Sequence, residues 1–179
     1  MTVRERCARD DTKKGMRYFI TFACYGAHLH GDESGSVDRL HNLPGSRLLE
    51  TDLRRASEER KTMAQGAYLL DRVSREAVLK ALREVCLHRG WSLLAAHVRT
   101  NHVHSVVEAD VRPERVLIDF KSYASRELNC FGRDGLDRKR WARHGSTRWL
   151  CKDQDVQAAI RYVIEEQGEP MAVFIAEAL

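Results

Sequence analysis

The sequence predicts an α+β domain in which a central antiparallel β-sheet is flanked by helices. Three observations carry that expectation. Strand-type apolar runs occupy 17–24, 91–98 and 102–108, helical apolar stripes occupy 74–89, 113–129 and a stretch ending near 167, and the two kinds of segment interleave as β, α, β, β, α, β, α.

Each element has its own signature. In 17–24, Tyr18, Ile20 and Phe22 alternate with Phe19, Thr21 and Ala23, so both faces are apolar and the strand belongs inside the sheet. From 26 to 66 the pattern dissolves into Gly, Ser, Asp and Arg, with Leu49, Leu53 and Ala56 marking at most a short amphipathic turn or two. We take 33–66 as a loop insertion within a single domain spanning 1–179. Val78, Ala81, Leu82, Val85 and Cys86 then share a helical face, and Gly90 stands where a left-handed cap belongs. The runs 91–98 and 102–108 are separated by Arg99-Thr100-Asn101, which predicts a hairpin. Pro113 opens a second helix carrying Leu117, Phe120, Ala124 and Leu128 on one stripe. Residues 131–144 are polar and basic, 146–151 read as a short strand, and Asp153 or Asp155 caps a third helix with Val156, Ala159, Ile160, Val163 and Ile164 on its stripe. Gly168 ends that helix, and the apolar tail 171–179 packs as a last strand or helix.

Composition excludes several classes. A chain of 179 residues, 43% hydrophobic and 31% charged, with 3 Pro and 11 Gly, is neither collagen-like nor disordered and can bury a core. No apolar run reaches the ~18 residues of a membrane span, and the charged start does not read as a signal peptide, so the expectation is a cytoplasmic protein with no membrane partner. The net charge of +4 means that any anionic partner must meet a local patch. Five cysteines without a C-x-x-C pair fit neither a zinc ribbon nor a full disulfide framework, and are expected as reduced thiols.

His102-Val103-His104 is the sharpest chemical feature, because alternate residues of a strand share a face and two imidazoles can then converge on one cation. Taken alone, the pair reads equally well as packing histidines. His28-Leu29-His30 repeats the pattern in a Gly-rich stretch with no further support. Tyr162 lies off the buried stripe of its helix, either as a boundary aromatic or as a nucleophile. A phenol with a free pKa of about 10 needs nearby positive charge for the second role. Tyr123, beside Phe120 and Ala124, reads as a packing residue.

Asn101-His102-Val103-His104 with Val106-Val107, the run from Phe120 to Asn129 and Arg161-Tyr162-Val163 together resemble the one-tyrosine HUH single-strand transposases. Within them the chain is most similar to the IS200-like and REP-associated tyrosine transposases, and Tyr18 to Asp32 and Gly145 to Leu150 extend the match. The resemblance implies an HUH endonuclease fold with a ferredoxin- or RRM-like palm and the histidine pair on a middle strand. It implies His102 and His104 as ligands of Mg²⁺ or Mn²⁺ and Tyr162 as the nucleophile that forms a 5′-phosphotyrosine. Single-stranded or hairpin DNA is the implied partner, acted on by a monomer or a homodimer. In the family a polar residue one turn beyond the tyrosine completes the metal shell. Glu166, about 40° from Tyr162 around a helix, is the choice, with Gln167 at about 140° as its rival. Lys121 and Arg126 are implied DNA contacts, and Arg138, Lys139, Arg140 and Trp141 offer cations and a stacking surface of the kind that grips unpaired strands.

Two departures from the family pattern stand out. Thr100 occupies a position that is often proline, which bears on turn rigidity, and Tyr-x-x-x-Glu replaces Tyr-x-x-x-Asn or Tyr-x-x-x-Gln, which bears on the third ligand. Two other functions stay open: a non-catalytic single-strand-binding module, and a phosphohydrolase using a water activated at the histidine pair.

Overall fold

A computed structural model describes residues 15–27, 53–132, 134–135 and 137–177. In chain order the elements are β1 (Met16–Cys24), α1 (Leu53–Thr62), α2 (Arg72–Arg89), β2 (Ser92–Val98), β3 (His102–Ala109), α3 (Pro113–Cys130), β4 (Trp141–Trp149), α4 (Asp153–Glu165) and β5 (Ala172–Ile175). The strands form one sheet in the order β4-β1-β3-β2-β5, with every neighbouring pair antiparallel. From β1 through β4, leaving α1 aside, the succession is the β-α-β-β-α-β of ferredoxin-like folds, with β5 added outside β2. The expected α+β class is the observed one, and the histidine pair lies on the middle strand of five.

Helices cover both faces because β1 is apolar on both. Tyr18, Ile20, Phe22 and Cys24 join Val103 and Val107 and meet Val78, Leu82 and Val85 of α2 and Val116, Phe120 and Ala124 of α3 in the larger core. Phe19, Ala95 and Val106 belong to the other face, which packs on Val156, Ala159, Ile160 and Val163 of α4. Helix α2 is closed at both ends: the Asp71 carboxylate accepts from Ser74 N–H at 2.7 Å, and Gly90 takes the left-handed conformation (φ 69°).

Several local expectations need correction. Residues 33–52 of the expected insertion, like His28, His30 and Arg133, lie outside the described residues, and Leu53–Thr62 within it is helix α1. Strand β4 starts at Trp141, inside the segment 131–144 read as polar and basic and five residues before the expected start at 146, and is a sheet edge. It pairs with β1 alone, around a bulge between Phe22 and Cys24, so only its flanking rings need to be apolar; Trp149 packs edge-on against Tyr18 and Trp141 against Phe22. Asp153 and Asp155 sit in the first turn of α4 rather than at its N-cap, which is Lys152, and Asp153 pairs with Arg17. The tail forms a strand, β5. Cys24 and Cys86 are buried free thiols and Cys130 an exposed one, whereas Cys151 is disulfide-bonded, contrary to the all-reduced reading. Among the described residues no helix is long and apolar enough to cross a membrane.

Gly145 sits where β4 crosses close to β1. A Cβ there would stand 2.7 Å from the Thr21 carbonyl oxygen and 3.1 Å from both Leu117 methyls. Because the nearest atom is backbone, Gly145→Ala is expected to cost roughly 1–3 kcal/mol, read as a lower urea midpoint with an unchanged slope.

Candidate metal and nucleophile site

The site starts from a clamped turn. The Cys24 N–H donates to the Asn101 carbonyl (2.7 Å), the Leu70 N–H to the Thr100 carbonyl (2.7 Å) and the Arg99 N–H to the His102 carbonyl (2.8 Å), so the turn before β3 is held from three sides without a proline. β3 then places His104 opposite Thr21 of β1 and His97 of β2, and His102 opposite Ala23. The two imidazoles share the α4-facing side of the sheet, with ring centroids 4.7 Å apart at 70°.

Each ring is oriented through Nδ1. His102 Nδ1 lies 2.7 Å from Asn101 Oδ1; an amide oxygen only accepts, so Nδ1 donates and the lone pair falls on Nε2. His104 Nδ1 lies 2.7 Å from the Thr21 hydroxyl. Burial above all, with His102 and His97 nearby, pushes the His104 pKa down to about 3 against a helpful hydrogen bond from Gln167. Its imidazole is therefore neutral at physiological pH, the form a metal ligand needs.

Tyr162 comes from the last turns of α4, where buried Val163 points into the sheet and leaves its neighbour 39% exposed. Its ring meets His104 (centroids 5.7 Å apart) and Phe19 (5.8 Å) edge-on, and Phe19 itself stacks on His104 at 5.7 Å. The phenol and the histidine pair, far apart in sequence, thus share one cluster of rings.

The third position differs from the helical extrapolation. Helix α4 ends at Glu165; Glu166 has φ −102° and ψ 12°, and Gly168 turns the chain with φ 72°. Angles counted around a continuing helix no longer apply there. Gln167 is close enough to His104 to act on its pKa, in the raising direction, and its Nε2 donates to the Tyr162 carbonyl at 3.3 Å. Glu166 is exposed, and among the described residues no three His, Cys, Asp or Glu side chains form a cation-holding group. Gln167, the rival for the third position, is thus the residue of the two with a described interaction with His104.

The residues expected to contact DNA divide. Arg126 is exposed with its guanidinium 5.2 Å from the Tyr123 ring centre, and Lys139 is exposed near Tyr25. Lys121 instead ties α3 to β4, its ammonium donating to the Ala142 (2.8 Å) and His144 (3.0 Å) carbonyls, and burial lowers its pKa. Arg138 donates to Gln65, Gly66 and Ala67. Arg140 is buried, 3.4 Å from Asp134 and beside the Tyr68 ring. Trp141 donates its indole N–H to Ser125 Oγ at 2.9 Å and to the Lys121 carbonyl at 3.1 Å. Arg140 is thus enclosed beside Tyr68, whereas Trp141 is half-buried against Phe22 and α3.

Sequence reasoning missed Thr21, Phe19, His97, and the exposed cations Arg148, opposite Phe19 on β4, and Arg161, beside Tyr162. A signal for His97 existed: in a hairpin pairing Val98 with Val103, His97 falls opposite His104.

The family model for IS200-like transposases matches residues 61–166, more than half of the chain, and the protein belongs to that family. No curated protein matches it. Among solved structures, a REP-associated tyrosine transposase bound to a REP hairpin aligns over 88% of this chain and 70% of its own, with TM-score 0.47 and 12% identity. A protein of Deinococcus radiodurans R1, named only provisionally as a transposase, aligns over 89% and 95%, with TM-score 0.45 and 14% identity. Identities this low transfer no residue role.

Two outcomes follow from the geometry. With chelator present, stability is fullest above the unfolded histidine pKa of 6.5 and falls as the pH drops from there towards about 3, because folding holds His104 neutral. His104→Gln flattens that slope, measured by urea midpoints across the range. Lys121→Met is expected to cost about 1–3 kcal/mol through its two lost charged hydrogen bonds, whereas Arg126→Gln stays within about 0.5 kcal/mol.

Proposed function

We propose that the protein cuts and rejoins single-stranded, hairpin-forming DNA through a covalent 5′-phosphotyrosine at Tyr162, with Mg²⁺ or Mn²⁺ as the required cation. The observation that carries this reading is the meeting of the Tyr162 ring with His104, 5.7 Å between centroids, beside a second imidazole 4.7 Å further on. The donor set fits such an ion: Nε2 of His102, Nε2 of His104 and the amide oxygen of Gln167 are the proposed ligands, with the Glu166 carboxylate as the rival third. Two imidazoles and an amide leave room for phosphate and water, and do not by themselves select Mg²⁺ over Mn²⁺ or Zn²⁺.

Bound there, the cation supplies charge that polarises the non-bridging phosphate oxygens of the scissile bond. Tyr162 Oη gives up its proton and forms a bond to phosphorus while the P–O3′ bond breaks, and the departing 3′ oxygen takes up a proton. Because the phosphodiester energy is kept in the tyrosyl ester, a second 3′-hydroxyl can reverse the step and join strands. Phe19, edge-on to the phenol, restricts its swing, while exposed Arg126, Lys139, Arg148 and Arg161 are the proposed contacts to the DNA backbone.

Incubation of labelled hairpin DNA with the protein and Mn²⁺, run on denaturing gels, is expected to give a covalent adduct. Tyr162→Phe should abolish the adduct and keep DNA binding. His104→Ala should abolish it as well, and Gln167→Ala, unlike Glu166→Ala, should weaken Mn²⁺ affinity at least about tenfold. A failure of the wild type to form an adduct across a broad set of hairpins would favour a binding module without chemistry. Turnover that survives Tyr162→Phe would favour a phosphohydrolase.

A further inference from the structure

His97 takes the third place in the row of imidazoles facing α4. It lies on β2 in register with His104 and is fully buried. Its position invites the reading of a third metal ligand, but both ring nitrogens are already engaged. The Val163 carbonyl, 3.0 Å from Nδ1, can only accept, and the Met171 backbone N–H, 3.1 Å from Nε2, can only donate. The ring is therefore the neutral Nδ1–H tautomer, with its one lone pair committed to Met171.

The two partners bracket one segment. Val163 follows Tyr162 and belongs to the last turn of α4, whose carbonyls have no intrahelical donors, so His97 supplies one from the sheet. Met171 lies immediately before β5, beyond the turn at Gly168. One side chain of the sheet thus pins both ends of the stretch 163–171, which carries Gln167 and starts next to Tyr162. A hydrophobe of similar volume would fill the space but leave a buried carbonyl and a backbone N–H without these partners.

We propose that His97 is a positioning residue, which sets where Tyr162 and Gln167 stand relative to the His102–His104 pair and is not itself a ligand. Its value to catalysis rests on the reading of Tyr162 as nucleophile. Its effect on the placement of Tyr162 does not.

Three variants separate the anchors. His97→Asn keeps a donor at the δ position for Val163, His97→Gln keeps an acceptor at the ε position for Met171, and His97→Phe keeps volume alone. At saturating Mn²⁺ and hairpin DNA, His97→Phe should slow single-turnover adduct formation by about tenfold to a hundredfold with DNA affinity unchanged. His97→Gln should slow the same step with Mn²⁺ affinity kept, whereas His97→Asn should mainly weaken Mn²⁺ binding. Placement is read without chemistry in ¹³C-tyrosine-labelled protein. The Tyr162 ring resonance, shifted by Phe19 and His104, should move towards its solvent value in His97→Phe while that of Tyr18 on the opposite face stays put.

A wild type that forms no adduct, together with a displaced Tyr162 resonance in His97→Phe, would sink the nuclease reading and support the positioning role. An unmoved Tyr162 resonance would overturn the proposal. So would equal losses in all three variants that merely follow their stability. Should His97→Phe fail to fold, the opposite effects expected of His97→Asn and His97→Gln decide the matter.

Discussion

The antiparallel register between β1 and β3 is the constraint on which the site depends. With Thr21 opposite His104 and Ala23 opposite His102, both imidazoles fall on the face covered by α4, and Val103 and Val107 fall in the larger core. A slip of one residue would exchange the two sets, sending rings with polar nitrogens into the packing of α2 and α3. Two things hold the register. Ile20 and Phe22 are matched to a core that accepts only their face, and the Cys24 N–H bonds to the Asn101 carbonyl at the very start of β3.

Burial then sets the charge state of the cluster. A deeply placed imidazole resists protonation, and His97 and His104 both have lowered pKa values with desolvation as the first cause. Neighbouring rings on adjacent strands thus stay neutral instead of accumulating mutually repelling charge, and their nitrogens are left for hydrogen bonds or for a cation. The hydrogen-bond partners of the rings differ: Asn101 and Thr21 take Nδ1 of the proposed ligands, while His97 spends both nitrogens on backbone. Aromatic packing completes the arrangement, with Phe19 filling the angle between His104 and Tyr162.

The basic segment shows how a charge can be visible in a sequence while its role is not. Arg138 and Arg140 look like their neighbours in composition, yet the first holds the carbonyls of Gly66 and Ala67 and the second is buried beside Asp134 and Tyr68. Apart from Asp134, those partners lie some 70 residues away in the chain, a distance over which periodicity carries no information. Strand β4 escaped notice in part for a similar reason. As an edge strand it tolerates Arg143, His144 and Arg148, and its pairing with β1 is what makes it a strand.

By itself the sequence determined whatever depends on neighbours within a turn or two. The faces of α2, α3 and α4, the Gly90 cap, the hairpin around 99–101 and the shared face of His102 and His104 all follow from side-chain period and local backbone preference. The tertiary structure alone decided which residues meet across the fold. It joined Tyr162 to the histidine pair, ended α4 at Glu165 so that Glu166 and Gln167 leave the helix, and gave His97 two backbone partners outside its own strand. Those outcomes depend on where a helix stops and on what lies opposite a strand, and burial and packing of the whole domain fix both.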